Sequence, residues 1–253
     1  MARWALPLAV FIGLIVAWAA SRPPAARLAD APVTAFSAGR AMEDVRAIAR
    51  APHPVGSPEN ARVRDHLLAR MRTLGLSPQV RPAASDGVRV ENILGVLPGA
   101  DRSAPAVLLM AHYDSVPESP GAADDAAGVA AILEAVRAYQ ASGGRPARDI
   151  MVLLTDGEEA GLLGARAFWA SDPASRRVGL VLNFEARGGG GRTMMFETGA
   201  GNAELVALYA GAVPSPTADS LSRFVYDRRD DIDVKTDWVC GEPHRDVAQA
   251  GKR

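Results

Sequence analysis

Two stretches set the fold: AVLLMAHYDS at residues 106–115 and IMVLLTDGEE at residues 150–159. Each opens with five apolar residues that do not alternate with polar ones, the pattern of a strand buried on both faces. A third run, GLVL at residues 179–182, leads into Asn183-Phe184-Glu185. Between the first two, residues 125–139 place Val129, Ile132, Leu133 and Val136 on one helical face, and residues 162–169 form a helical stretch before the third. Strands alternating with helices predict an α/β domain, a three-layer α/β/α sandwich around a mixed, mostly parallel sheet. Upstream, residues 59–74 read as a helix with Val63, Leu67, Met71 and Leu74 on one face and Gly75 as its stop. Residues 88–97 read as a strand closed by Pro98-Gly99.

In such sheets, ligand sites lie just beyond the carboxyl ends of the strands. The first run delivers His112 and Asp114, the second Asp156, Glu158 and Glu159, the third Asn183 and Glu185, and the turn into the 125–139 helix delivers Asp124 and Asp125. Taken singly, each has a plain structural explanation: a hydrogen-bonded histidine, carboxylates at a helix N-terminus, acids on a solvated loop. Their joint placement at one end of the sheet points to a metal centre. Imidazole and carboxylate donors suit zinc, and two zinc ions need a carboxylate between them. Asp114, two residues past His112, suits an acceptor that fixes the imidazole tautomer or a turn-stabilising side chain.

Composition narrows the classes. With 28 Lys and Arg against 29 Asp and Glu, the formal net charge of -1 gives no reason to expect a nucleic-acid partner. The lone Cys240 excludes an internal disulfide framework and a cysteine-based zinc cluster. With four histidines in all, a metal site must lean on carboxylates.

The two ends differ from the middle. Residues 4–21, WALPLAVFIGLIVAWAAS, are eighteen uncharged residues between Arg3 and Arg22, expected to form one hydrophobic helix: a transmembrane anchor or a signal peptide over residues 1–21. Either role places the rest outside the cytoplasm. Residues 22–36, rich in Pro and Ala, read as a linker, and residues 37–227 as the main folded domain. From Arg228 onward twelve of twenty-six residues are charged and the apolar periodicity stops, which reads as a divergent, solvated tail over 228–253.

The run His112-Tyr-Asp114-Ser, then Pro120-Gly-Ala-Ala-Asp124-Asp125-Ala-Ala-Gly128, Asp156-Gly-Glu158-Glu159-Ala-Gly and Asn183-Phe-Glu185 resembles metallopeptidase family 28. The segment Pro52-His53-Pro-Val-Gly-Ser-Pro-Glu-Asn60 resembles its membrane-anchored branch, and the likeness extends over residues 37–227. The resemblance implies a zinc-dependent aminopeptidase with two Zn2+ ions, acting on peptides. In it Asp124 corresponds to the bridging ligand, His112 and Glu185 to the other ligands of one zinc, Glu159 to a ligand of the second, and Asp125 to a non-ligand. Glu158 corresponds to the general base that takes a proton from the metal-activated water and returns it to the departing amine. His53 and His66 match no ligand and read as surface or loop residues. A late histidine should complete the second zinc; His244, in an unfamiliar charged context, is its one late counterpart, as if the chain derived from a truncated or frame-shifted longer gene. Two other readings remain open here: a single-zinc glutaminyl cyclase of the same fold, held by Asp124, Glu159 and the late histidine, and a non-catalytic ectodomain.

Overall fold

The apolar runs form the centre of one sheet. β1 (Gln79–Ser85), β2 (Val88–Leu97), β3 (Ala106–His112), β4 (Ile150–Thr155), β5 (Val178–Asn183) and β6 (Cys240–Gly241) stand in the order β1-β2-β4-β3-β5-β6. The computed structural model describes residues 4–185, 193–195, 198, 202–213, 216–218 and 240–241. β4 pairs in parallel with β3, and β3 with β5; β2 runs antiparallel to both β1 and β4, and β6 antiparallel to β5. Hence β1, β3, β4 and β5 all point one way, and the sheet is mixed and mostly parallel, as expected. The Cys240–Gly241 pairing with β5 falls inside the stretch read as a solvated tail, and adds a short edge strand there.

Helices cover both faces. α1 (Ala5–Ser21) precedes the domain; α2 (Ala38–Ile48), α3 (Pro58–Thr73), α4 (Ala126–Ala141), α5 (Leu163–Ser171) and α6 (Ala203–Ala212) follow. On one face Val45 and Ile48 of α2, Val63, Leu67 and Met71 of α3, and Ile132 and Leu133 of α4 pack with Ile93, Val152 and Leu154 of the sheet. On the other, Phe168 of α5 packs with Leu94, Leu108, Met151, Leu153 and Val181. Alternate strand residues thus feed opposite cores, which is why the central runs had to be apolar throughout. Burying one such side chain contributes about 1.5–3 kcal/mol.

One expectation needs correction at the amino-terminal end, that of a transmembrane helix. Among the described residues no helix is long and apolar enough to cross a membrane. The uncharged run has eighteen residues, but Trp4 lies outside the helix as its cap, leaving 17 residues in α1. At ~1.5 Å per residue these reach ~26 Å, short of a hydrocarbon core of ~30 Å. Side chains 6–21 are nevertheless all exposed.

Residues 22–36, read as a linker, form no helix or strand, and from Arg27 onward their backbone is docked on the domain. Glu134 of α4, 1% exposed, accepts from the Ser37 N–H at 3.0 Å, from Arg40 Nε at 3.1 Å and from Arg137 Nε at 2.6 Å. The two guanidinium groups so held donate to the carbonyls of Ala29, Ala31, Val33 and Ala35 at 2.6–2.8 Å. Ser37 Oγ donates to the Leu28 carbonyl at 2.6 Å, and Gly39 lies so close to the Leu28–Ala29 backbone that any Cβ would collide with it. Pro- and Ala-rich composition signals the lack of a helix or strand, not freedom from the domain.

Burial alone would raise the Glu134 carboxyl pKa, but the donors from Arg137, Ser37 and Arg40 outweigh it and hold the group below its usual range. Stability from the ionised form is therefore complete above the ordinary glutamate value of about 4.3 and is lost as pH falls through the lowered folded value. Glu134→Gln should speed tryptic cleavage between Arg27 and Leu28 on the order of tenfold at pH 7, since a charge-assisted bond contributes ~1.5–3 kcal/mol. An unchanged cleavage rate would show that the segment is held by something else.

Candidate active site

The register of β3 against β4 sets His112 beside Thr155, so the two strands end together. β5 ends at Asn183, paired alongside Met110. Three chain segments therefore leave the sheet at one edge, and their first polar residues converge.

His112 is 2% exposed and forms the floor. Its Nδ1 lies 3.1 Å from the Asp114 carbonyl oxygen and 3.4 Å from Asp114 Oδ1. A carbonyl can only accept, so Nδ1 carries the proton and Nε2 faces the opening. Around Nε2 stand Asp124 Oδ1 at 2.8 Å, Glu158 Oε2 at 3.8 Å and Glu185 Oε1 at 3.8 Å. Ligand atoms of His112, Asp124 and Glu185 lie within 4.8 Å of one another, and so do those of His112, Glu158 and Glu159. Donors of one tetrahedral zinc, with bonds of ~2.0–2.2 Å, sit roughly 3–3.6 Å apart. In the first group the His112–Asp124 and His112–Glu185 separations, 2.8 and 3.8 Å, fall within a few tenths of an ångström of that range.

Asp114 does more than orient the imidazole. Its Oδ1 accepts the Glu158 N–H at 2.9 Å and its Oδ2 the Glu159 N–H at 3.2 Å. One carboxylate thereby joins the loop after β3 to the turn after β4. Asp125, which is fully buried, caps α4: its Oδ1 accepts the Gly128 N–H at 2.9 Å, and its Oδ2 accepts the His112 N–H at 3.4 Å. The Asp124–Asp125 peptide is cis.

The electrostatics are those of acids crowded around one imidazole. Burial opposes charge on His112, yet hydrogen bonds with Asp114, Asp124 and Glu185 raise its pKa well above the usual histidine range. Burial, reinforced by Glu185, raises the Asp125 carboxyl. Glu158 is pushed up to about 7, chiefly by burial and then by its acidic neighbours, and Glu159 is raised for the same two reasons. Such a cluster has an affinity for positive charge that a proton or a divalent cation can satisfy.

His244 lies outside the described residues. His53 lies in a loop, as one of the two readings had it, but is buried rather than at the surface: it is 1% exposed, with its N–H donating to Ser115 Oγ at 2.9 Å. His66 is partly exposed and sits 3.7 Å from Asp44. Asn60, Asn92 and Asp156, also buried, form a polar group behind the turn after β4 that the sequence reading missed. The one signal available was position, Asp156 immediately following an apolar strand. A surface depression lined by Ser103, Pro105, Arg177 and Gly179 is at the opposite end of β3 and β5.

Residues 92–241 match Peptidase family M28. The chain belongs to this family. The vacuolar membrane protease of Candida dubliniensis is 35% identical over 192 residues, covering 70% of this chain and 20% of that protein. That of Schizosaccharomyces pombe is 31% identical over 220 residues, covering 80% and 25%. The M28 chain thus spans about a fifth to a quarter of the length of these curated relatives. Among solved structures, a leucine aminopeptidase precursor from Bacteroides thetaiotaomicron superposes with TM-score 0.59 at 20% identity, covering 74% of this chain and 78% of that one. Porphyromonas gingivalis glutaminyl cyclase superposes with TM-score 0.57 at 23% identity, covering 69% and 68%. At these identities the likeness is one of fold.

The Asp125 cap leaves no room beside it. A Cβ at Gly128 would collide with both carboxylate oxygens of Asp125. Gly128→Ala gains ~1 kcal/mol of helix propensity, but displacing the cap and crowding the site cost about 2–3 kcal/mol. Urea unfolding should show a net loss of about 1–2 kcal/mol; a more stable variant would contradict the packing described.

Proposed function

We propose that this M28 chain is a zinc-dependent exopeptidase that removes N-terminal residues from peptides. The observation that carries the reading is the compact group of His112, Asp124 and Glu185 with Glu158 beside it, at the carboxyl edge of a sheet whose chain belongs to a peptidase family. His112, Asp124 and Glu185 would hold one ion. A second would take Asp124, Glu159 and a histidine for which His244 is the sequence's late counterpart. Zinc, when bound, supplies the Lewis acidity that polarises a peptide carbonyl and acidifies a water.

The remaining work falls to side chains. Glu158, whose Oε2 lies 3.8 Å from His112 Nε2, faces the same space as the ligands and takes the proton from the attacking water at its carboxylate. It then gives that proton to the nitrogen of the departing amine. Asp114 holds the Glu158 and Glu159 backbone and, with its own carbonyl, the His112 tautomer. The exposed apolar side chains of α1 support attachment of the domain to a membrane, with the hydrolytic part outside the cytoplasm, a reading consistent with relatives called vacuolar membrane proteases.

After dialysis against metal-free buffer, the full chain should retain about two zinc ions, as the two-ion mechanism implies, and should cleave aminoacyl 4-nitroanilides. One ion with cyclisation of an N-terminal glutamine would favour the glutaminyl cyclase reading instead. Absence of both zinc and turnover would leave a non-catalytic ectodomain. Glu158→Gln should reduce turnover about 10²–10⁴-fold while zinc content stays at the wild-type level. Loss of zinc from that variant would place Glu158 among the ligands and reassign the base.

A further inference from the structure

The segment Pro52–Asn60 carries no metal-set residue, yet it touches both loops that do. His53 exchanges two hydrogen bonds with Ser115: its N–H donates to Ser115 Oγ at 2.9 Å, and its carbonyl accepts from the Ser115 N–H at 3.3 Å. Seven residues on, Asn60 is 4% exposed near the start of α3, where the Ser57 side chain caps its N–H at 3.0 Å. The Asn60 Nδ2 donates to Asp156 Oδ1 at 3.0 Å and lies 3.4 Å from the His53 carbonyl. One buried amide thus stands where the 53 segment, the loop after β3 and the turn after β4 meet.

Asp156 is where this contact acts. It is 2% exposed, and its other carboxylate oxygen accepts the Glu91 N–H at 2.9 Å. Its own N–H donates to Asn92 Oδ1 at 3.0 Å, and its carbonyl accepts the Gly164 N–H at 2.9 Å. The turn that follows is tight, with Gly157 and Gly161 at φ of +68° and +107° and the Leu162 N–H bonded to the Glu158 carbonyl at 2.8 Å. Such a turn has little freedom of its own, so the placement of Glu158 and Glu159 follows from where Asp156 is held on one side and Asp114 on the other.

We infer that Asn60 is a positioning residue of the hydrolytic site: its amide fixes the Asp156 carboxylate, and through it the turn that presents Glu158 and Glu159. The assignment rests on the exopeptidase reading for its catalytic consequence, though not for its structural one. Asn60 is not among the candidate metal ligands, and among the hydrogen bonds of the described residues its amide is the link from the 52–60 segment to Asp156. A buried carboxylate with one of its two donors removed seeks a new partner. A displacement of ~1 Å in a reacting group is enough to cost on the order of a hundredfold in rate.

The test compares the full chain with Asn60→Ala, Asn60→Asp and the double variant Asn60→Asp with Asp156→Asn. Four quantities are read: kcat and KM on aminoacyl 4-nitroanilides, zinc affinity by competition with a chromophoric chelator, amide exchange at Glu158 and Glu159, and Tm. Asn60→Ala should lower kcat and zinc affinity about 10–100-fold, the range found for groups that orient metal ligands, with KM within about twofold. Exchange at Glu158 and Glu159 should accelerate. Asn60→Asp sets two carboxylates face to face and should be worse. The double variant restores a donor–acceptor pair with the roles exchanged, and should recover about tenfold of the loss relative to Asn60→Asp. A fall in Tm alone, with kcat, zinc affinity and Glu158/Glu159 exchange at wild-type values, would overturn the assignment; so would a double variant no better than Asn60→Asp. If the wild type has no peptidase activity, the functional reading fails, while exchange and zinc affinity still decide the role of Asn60.

Discussion

The parallel pairing of β3 with β4 is the constraint on which the rest of this molecule depends. With His112 opposite Thr155, the residues after each strand start from the same height above the sheet, and Asp114 can reach the two amides at Glu158 and Glu159. A shift of one residue would turn His112 to the other face and place Asp114 one step away from those amides. The register is in turn protected by the two cores. Val152 and Leu154 face one layer of helices and Met151 and Leu153 the other, so any slip would exchange residues between cores of different shape.

Against this rigid base, the site itself is electrostatically uncomfortable. Asp114, Asp124, Asp125, Glu158, Glu159 and Glu185 gather around one buried imidazole, and the carboxyl groups of Asp125, Glu158 and Glu159 all resist ionisation. Elsewhere several buried or half-buried acids pair with arginine: Glu134 with Arg40 and Arg137, Asp149 with Arg177, Asp172 with Arg81. The contrast is informative. A fold that neutralises these structural carboxylates with fixed cations, yet gathers one cluster of acids around a histidine, has a place where a mobile cation gains most. Binding there would add to folding stability by mass action as well as enabling chemistry.

How much of this could be read in advance differs by level. The central strands and the helices α3, α4 and α5 were legible because each carries a long, unambiguous apolar pattern, and the ligand-type residues because they follow those strands directly. α2 and β1 were not. The helix Ala38–Ile48 shows its inward face as Ala41, Val45 and Ile48 among charged residues, and the strand Gln79–Ser85 is an edge strand with Pro82 in its middle, a residue that ordinarily argues against a strand. Asn60 and His53 were missed for a different reason: their partners are 96 and 62 residues away in sequence, and no local pattern reports a contact that the topology makes. Residues 22–36 have no helix or strand, as their composition indicates, but their attachment was not legible, because the arginines that hold their backbone belong to α2 and α4.

That last attachment limits geometry. Between the end of α1 at Ser21 and the first docked carbonyl at Arg27 lie the five residues 22–26. Fully extended, they reach at most ~18 Å. If α1 lies in a lipid surface, the globular part does not roam on a long stalk; it is confined to a layer about one small-domain radius thick above the headgroups. Under the exopeptidase reading, peptides held at that surface would meet the site at a raised local concentration.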